Sequence, residues 1–280
     1  MKPNDSPIPD ELADARGARI KTGIGGWNFP PWRDNFYPKG LPQRRELEYA
    51  SRHLTAIEIN STFYRAQTPQ VYAKWRDETP QGFVFSLKAP RQVAEMRKLA
   101  SAGSVMRGFV FGGLAEFGEK LGPVVWQFPP SRAFERDDFA AFLDLLPRNL
   151  NGLALRHALE VRNKSFLCEE FLELARTYRC ACVFTDSHEY PNFADVTGDF
   201  VYARLMRSRE SERDGYPAKE LDAWAERVRQ WARGGEPDDL PRVLPVEKKK
   251  SAPRDVFLYF ISAHKARNPA AAMALQRRMS

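Results

Sequence analysis

Ala56-Ile57-Glu58-Ile59-Asn60 sets a carboxylate in the middle of an apolar strand, and Ala158-Leu159-Glu160-Val161-Arg162 repeats the arrangement later in the chain. Side chains alternate across a strand, so Glu58 and Asn60 oppose Ile57 and Ile59, while Glu160 and Arg162 oppose Leu159 and Val161. Apolar neighbours imply burial on one face. An ionised carboxylate buried without partners costs many kcal/mol, so both glutamates are expected to meet a ligand, water or a cation inside the fold.

Working outward from these two strands, the same reading finds eight short apolar or alternating segments: 19–24, 56–60, 84–88, 124–128, 157–162, 181–186, 200–205 and 256–261. Amphipathic spacing predicts helices between them, most clearly over 135–146, 166–178 and 218–233. Pro147 and Gly234-Gly235 supply stops, and the acidic pairs Asp137-Asp138 and Glu169-Glu170 suit first turns. Eight strands alternating with helices match an α/β fold of one kind: a single (β/α)8 TIM-like barrel with long βα loops. A doubly wound open sheet is the alternative. Gly23-Ile24-Gly25-Gly26 resembles part of a dinucleotide fingerprint, but the third spaced glycine is missing, so no cofactor is expected.

Residues 1–18 are polar and proline-bearing, which predicts a flexible N-terminal extension ahead of a barrel domain over 19–280. They contain no apolar signal segment, and no later run is long and apolar enough for a bilayer, so a soluble, cytoplasmic protein without a membrane partner is expected. Cys168, Cys180 and Cys182 form no C-x-x-C pair and read as structural thiols. Net charge is +7, and residues 242–280 hold nine Lys or Arg against two acids while the remainder balances at 34 of each sign. That basic part, with Lys248-Lys249-Lys250, makes nucleic acid the alternative partner.

Gly25-Gly26-Trp27-Asn28-Phe29-Pro30-Pro31-Trp32, Glu58-Ile59-Asn60-Ser61-Thr62-Phe63-Tyr64-Arg65, Phe85-Ser86-Leu87-Lys88-Ala89-Pro90-Arg91, Gln127-Phe128-Pro129-Pro130, Leu159-Glu160-Val161-Arg162 and Thr185-Asp186-Ser187 together resemble the YecE-like family, a domain of unknown function. The resemblance runs over roughly residues 20–280. It implies a TIM-like barrel and, through a distant likeness to barrel endonucleases, DNA binding. This chain departs from the family at Arg162-Asn163-Lys164-Ser165-Phe166, Arg204-Leu205-Met206-Arg207 and Ala94-Glu95, where the family carries histidines, and at Tyr259-Phe260-Ile261-Ser262, where it carries asparagines. Such a member is divergent.

Sites of such barrels lie at the C-terminal ends of the strands. Late strand positions gather Glu58, Asn60, Lys88, Gln127, Glu160, Arg162, Asp186 and Arg204 there. Cations of this set suit an anionic or sugar-like ligand, with Glu58, Glu160 and Asp186 as candidate catalytic carboxylates in a hydrolase or lyase. Asn60, Lys88, Gln127, Arg162 and Arg204 are candidate ligand contacts, joined by Trp27 and Tyr64, aromatics that either stack on a sugar or base or anchor their loops to the core. Three acids and three bases equally permit a self-neutralised cluster, in which Arg162 pairs with Glu58 or Glu160. A ligand role for Glu160 predicts that Glu160→Gln weakens binding more than folding. The four histidines show no metal-ligand spacing and no serine sits in a nucleophile elbow, so no metal site is expected.

Overall fold

The computed structural model describes residues 17–246, 252–261 and 263–280. Eight parallel strands close into a barrel: β1 (Ile20–Gly25), β2 (Ala56–Ile59), β3 (Val84–Lys88), β4 (Leu121–Phe128), β5 (His157–Val161), β6 (Ala181–Thr185), β7 (Phe200–Leu205) and β8 (Asp255–Phe260). They follow one another around the ring in chain order, and β1 pairs with both β2 and β8 to close it. Each expected strand is found within a few residues of its predicted limits. The helices are α1 (Glu46–Ser51), α2 (Pro69–Asp77), α3 (Arg91–Glu95), α4 (Gly103–Phe111), α5 (Arg136–Asp144), α6 (Glu169–Thr177), α7 (Ala218–Ala232) and α8 (Asn268–Met279). Most of the predicted extension and all of Lys248, Lys249 and Lys250 lie outside the described residues, as does Ser262.

Alternation along each strand builds two cores. Ile57, Ile59, Leu159, Val161, Leu205 and Phe260 face outward into the shell of helices. Ala56, Val84, Val125, Ala158, Val183 and Phe257 belong to a separate cluster that fills the lumen. Lumen-facing positions at the C-terminal strand ends are the polar ones: Glu58, Ser86, Lys88, Gln127, Glu160, Thr185 and Arg204 are all buried.

Glycine in β1 is a packing requirement. A Cβ at Gly23 would lie 1.9 Å from the carbonyl oxygen of Ala56, so β1 approaches β2 this closely only with hydrogen in that place. The glycine run that resembles a dinucleotide turn is therefore part of a barrel stave.

The aromatic loop after β1 serves the core. Trp32 is fully buried and donates its indole N–H to the carbonyl of Lys265 at 2.8 Å, while Tyr37 is buried against Phe36 and Tyr49. Among the described residues, no helix is long and apolar enough to cross a membrane.

Candidate functional site

Arg204 is the centre of the polar layer. Its strand register sets it level with Thr185 on β6 and Tyr259 on β8, and its side chain enters the lumen. There Nη2 donates to Glu58 Oε1 at 3.0 Å and Nη1 donates to Glu160 Oε2. The three residues come from β7, β2 and β5, which are not neighbours in the barrel, so the guanidinium ties the far sides of the lumen together.

Both carboxylates are fully engaged. Glu58 Oε2 accepts from Tyr202 OH at 2.8 Å; Glu160 Oε1 accepts from Gln127 Nε2 at 2.9 Å and from Arg162 Nε at 2.7 Å. Burial raises the Glu160 pKa, but Arg204, Arg162 and Lys88 together outweigh it and hold the carboxyl down at about 2. A carboxylate so stabilised is a weak base and holds no proton to give. The same pair keeps Arg204 charged: burial works against the cation, and Glu160 and Glu58 override it.

Lys88 differs. It ends β3, where Pro90 stops the strand and the Lys88 carbonyl accepts from Thr62 Oγ1 at 2.7 Å. Parity with Ser86 sends its side chain inward. Its ammonium lies 3.7 Å from the centre of the Phe63 ring and has no hydrogen-bond or ion-pair partner among the described residues. Burial first, then the charge of Arg204, lowers its pKa from 10.5 to about 8, against the pull of Glu160 and Glu58. Arg162, stacked at 4.0 Å over Tyr190, stands beside it with 18% of its side chain exposed.

Asp186 does not join the cluster. Thr185 is level with Arg204 and faces the lumen, so Asp186 turns the other way, and its carboxylate accepts from Met206 N at 2.5 Å and Tyr216 OH at 3.0 Å. Without it the layer holds two acids against Lys88, Arg162 and Arg204. Trp27 is also elsewhere: its ring packs edge-on against Trp75 at 4.9 Å and Phe85 at 6.5 Å, within the outer shell. Asn60 donates weakly to the Glu58 carbonyl at 3.4 Å, and Tyr64 is 74% exposed beside Phe63 and Arg91 at the rim.

Four residues escaped the sequence reading. Tyr202 shares the inward parity of Arg204 and was legible on that ground. Ser86 and Tyr259, hydrogen-bonded at 2.7 Å, are also inward positions. Tyr190 sits in an irregular loop, where no periodicity points to it.

Several basic residues of 242–280 are already engaged. Arg242 pairs with Glu236, Arg254 donates to Gly234 O at 2.9 Å, Arg277 faces Asp214 at 3.8 Å and Arg278 meets Asp222 at 2.6 Å. Cys180 and Cys182 are buried, which pushes both thiols up to about 12. His157 accepts from Trp126 Nε1 at 3.1 Å and faces Pro147 O at 2.7 Å, so its proton is on Nε2 and it is a neutral core group.

Residues 21–280 match the family described as "Protein of unknown function DUF72". UPF0759 protein YunF of Bacillus subtilis (strain 168) is 27% identical over 160 residues, 55% of this chain and 54% of that protein. UPF0759 protein YecE of Escherichia coli (strain K12) is 28% identical over 142 residues, 49% of this chain and 48% of YecE. This chain thus spans about half the length of the curated relatives it matches. A solved DUF72 family protein of Thermotoga maritima MSB8 superposes with a TM-score of 0.68 at 21% identity, covering 92% of this chain and 96% of the other. That likeness concerns the fold, the same barrel. With the family match running from β1 to the last residue, the chain belongs to the DUF72 family as a divergent YecE-like member.

Proposed function

We propose that the C-terminal mouth of the barrel binds a small anionic molecule, bearing phosphate or carboxylate, with Lys88 and Arg162 as its clamp. One observation carries this reading: the inward-facing Lys88 ammonium has no carboxylate partner, while both nearby carboxylates are already taken by Arg204, Arg162, Gln127 and Tyr202. The polar layer consequently keeps one positive charge in excess. An anion at the mouth supplies the missing partner, and partial exclusion of water strengthens the attraction. Arg204 acts from below as a fixed charge, and Tyr64 is placed to cover the rim. Glu58 and Glu160 orient Arg204 in this scheme and exchange no protons.

Calorimetric titration of the full chain with inorganic phosphate and with a sugar phosphate tests the reading. Binding is expected, and Lys88→Met should weaken it at least about tenfold, the worth of one charge-assisted contact. Absence of heat with both ligands, or equal affinity in Lys88→Met, would overturn it.

A further inference from the structure

We propose that Lys88 is also a covalent nucleophile, which forms an imine with a small carbonyl compound whose anionic group is held by Arg162. This deepens the anion-binding reading and rests on it. Four features of the site point the same way. The amine is placed at the C-terminal end of a barrel strand, where loops and strand ends converge on the mouth. Lys88 as a whole residue keeps 9% exposure at the mouth, and its amine lies against the ring of Phe63. No acceptor among the described residues holds its nitrogen, in contrast to Lys120, whose ammonium donates to the carbonyls of Arg76 and Thr79 at 2.6 Å each. Finally, Arg204 and Arg162 are neighbouring cations, and like charges beside a desolvated lysine favour its neutral, nucleophilic form.

The chemistry balances without an external oxidant or reductant. The ammonium first loses a proton to water. Its lone pair then forms the N–C bond while the carbonyl π pair moves to oxygen, and one N–H proton passes from the now cationic nitrogen to that oxygen to give a neutral carbinolamine. Loss of the hydroxyl as water, with one further proton, leaves the C=N bond. A protonated imine draws electrons from an adjacent C–C or C–H bond, which makes lyase or proton-abstraction chemistry the class this site supports.

Lys265 is the competing amine. It is half-buried over Phe29 at 4.6 Å and Trp32 at 5.3 Å, and burial lowers its pKa as well. Its two rings belong to the outer shell, and among the described residues burial alone, with no neighbouring cation, accounts for the lowering.

Borohydride trapping decides the matter. The full chain is incubated with pyruvate, or with glyceraldehyde 3-phosphate, in the presence of sodium borohydride, and intact mass and peptide mapping are read. With pyruvate one adduct per chain is expected, with the mass of pyruvic acid less one oxygen, on Lys88. It should be suppressed by excess inorganic phosphate, lost in Lys88→Arg and unchanged in Lys265→Met. Lys88→Arg retains the charge, so phosphate binding should survive in it; this separates the two readings. Phosphate binding without any adduct overturns the imine and leaves the anion site standing. Adduct on Lys88 without phosphate binding supports the imine and overturns the clamp. Adduct on Lys265, or spread over surface lysines and undiminished in Lys88→Arg, overturns the assignment.

Discussion

Arg204 Nη2 lies 3.0 Å from Glu58 Oε1 across the lumen, with side chains 2% and 0% exposed, so the pair joins β7 to β2 in a site shut off from water. Such a pair gives little net stability when intact but is expensive to break, because the remaining charge stays buried. Arg204→Ala strips Glu58 and Glu160 of a donor each. Its expected cost is about 3 to 5 kcal/mol, readable by urea unfolding, and a loss below about 1 kcal/mol would contradict the buried geometry. Glu160→Gln should also destabilise the fold, because its amide brings N–H groups where Gln127, Arg162 and Arg204 all need an acceptor. The sequence-based expectation set a larger loss of binding than of folding for this substitution; the count of donors gives it a folding cost of its own.

Barrel and layer were legible because period-two alternation survives in every strand, and buried charge in an apolar strand has few explanations. The error at Asp186 came from the same rule applied one residue too far. In Ala181-Cys182-Val183-Phe184-Thr185 the inward positions are Ala181, Val183 and Thr185, which sends Asp186 outward. Trp27 stayed open between stacking on a ligand and anchoring its loop for another reason: composition marks an aromatic loop but says nothing of which side of the strand it packs on. The Arg162–Glu160 pair was among the pairings the sequence offered, but the pairing of Arg204 was beyond reach, since Arg204 and Glu58 are 146 residues apart and their contact depends on barrel closure.

Glu160 makes stability acid-sensitive. Its folded pKa of about 2 lies below the ordinary 4.5, so between these values the unfolded chain binds more protons than the folded one. Stability is fully present above pH 4.5 and is lost as pH falls toward 2. The isolated contribution is on the order of 3 kcal/mol. Unfolding free energies at the two ends of that window should differ by less in Glu160→Gln than in the native chain; equal differences would remove Glu160 as the source.

Lys88 acts at the alkaline end. Its folded pKa of about 8 lies below the ordinary 10.5, so the unfolded chain again holds more protons and stability rises with pH across that interval. At neutral pH the desolvated ammonium is a net cost to folding. Lys88→Met should therefore be at least as stable as the native chain at pH 7, and the native chain should gain on the variant between pH 8 and 10.5. Buried Tyr202 and Tyr259 titrate above this range with the opposite sign, which is why the difference between the two proteins, not either slope alone, is the quantity to read. A variant destabilised at pH 7 would show that Lys88 has a partner in the folded protein.

Asp186 separates a fold-supporting carboxylate from a ligand-binding one. Its two oxygens take the backbone N–H of Met206 and the hydroxyl of Tyr216, and Tyr216 in turn accepts from Arg207 N at 2.7 Å. The acid thereby pins the loop that follows β7 to the end of β6. Asp186→Ala leaves a buried N–H and a buried hydroxyl without their acceptor, at a cost of about 1 to 3 kcal/mol for each group left unpaired. Phosphate affinity should stay within about twofold of native, well under the tenfold step that a lost charge contact makes. Unfolding and calorimetry on the same preparation give both answers. If phosphate binding collapsed while stability held, the carboxylate would have to face the mouth, against the parity of β6.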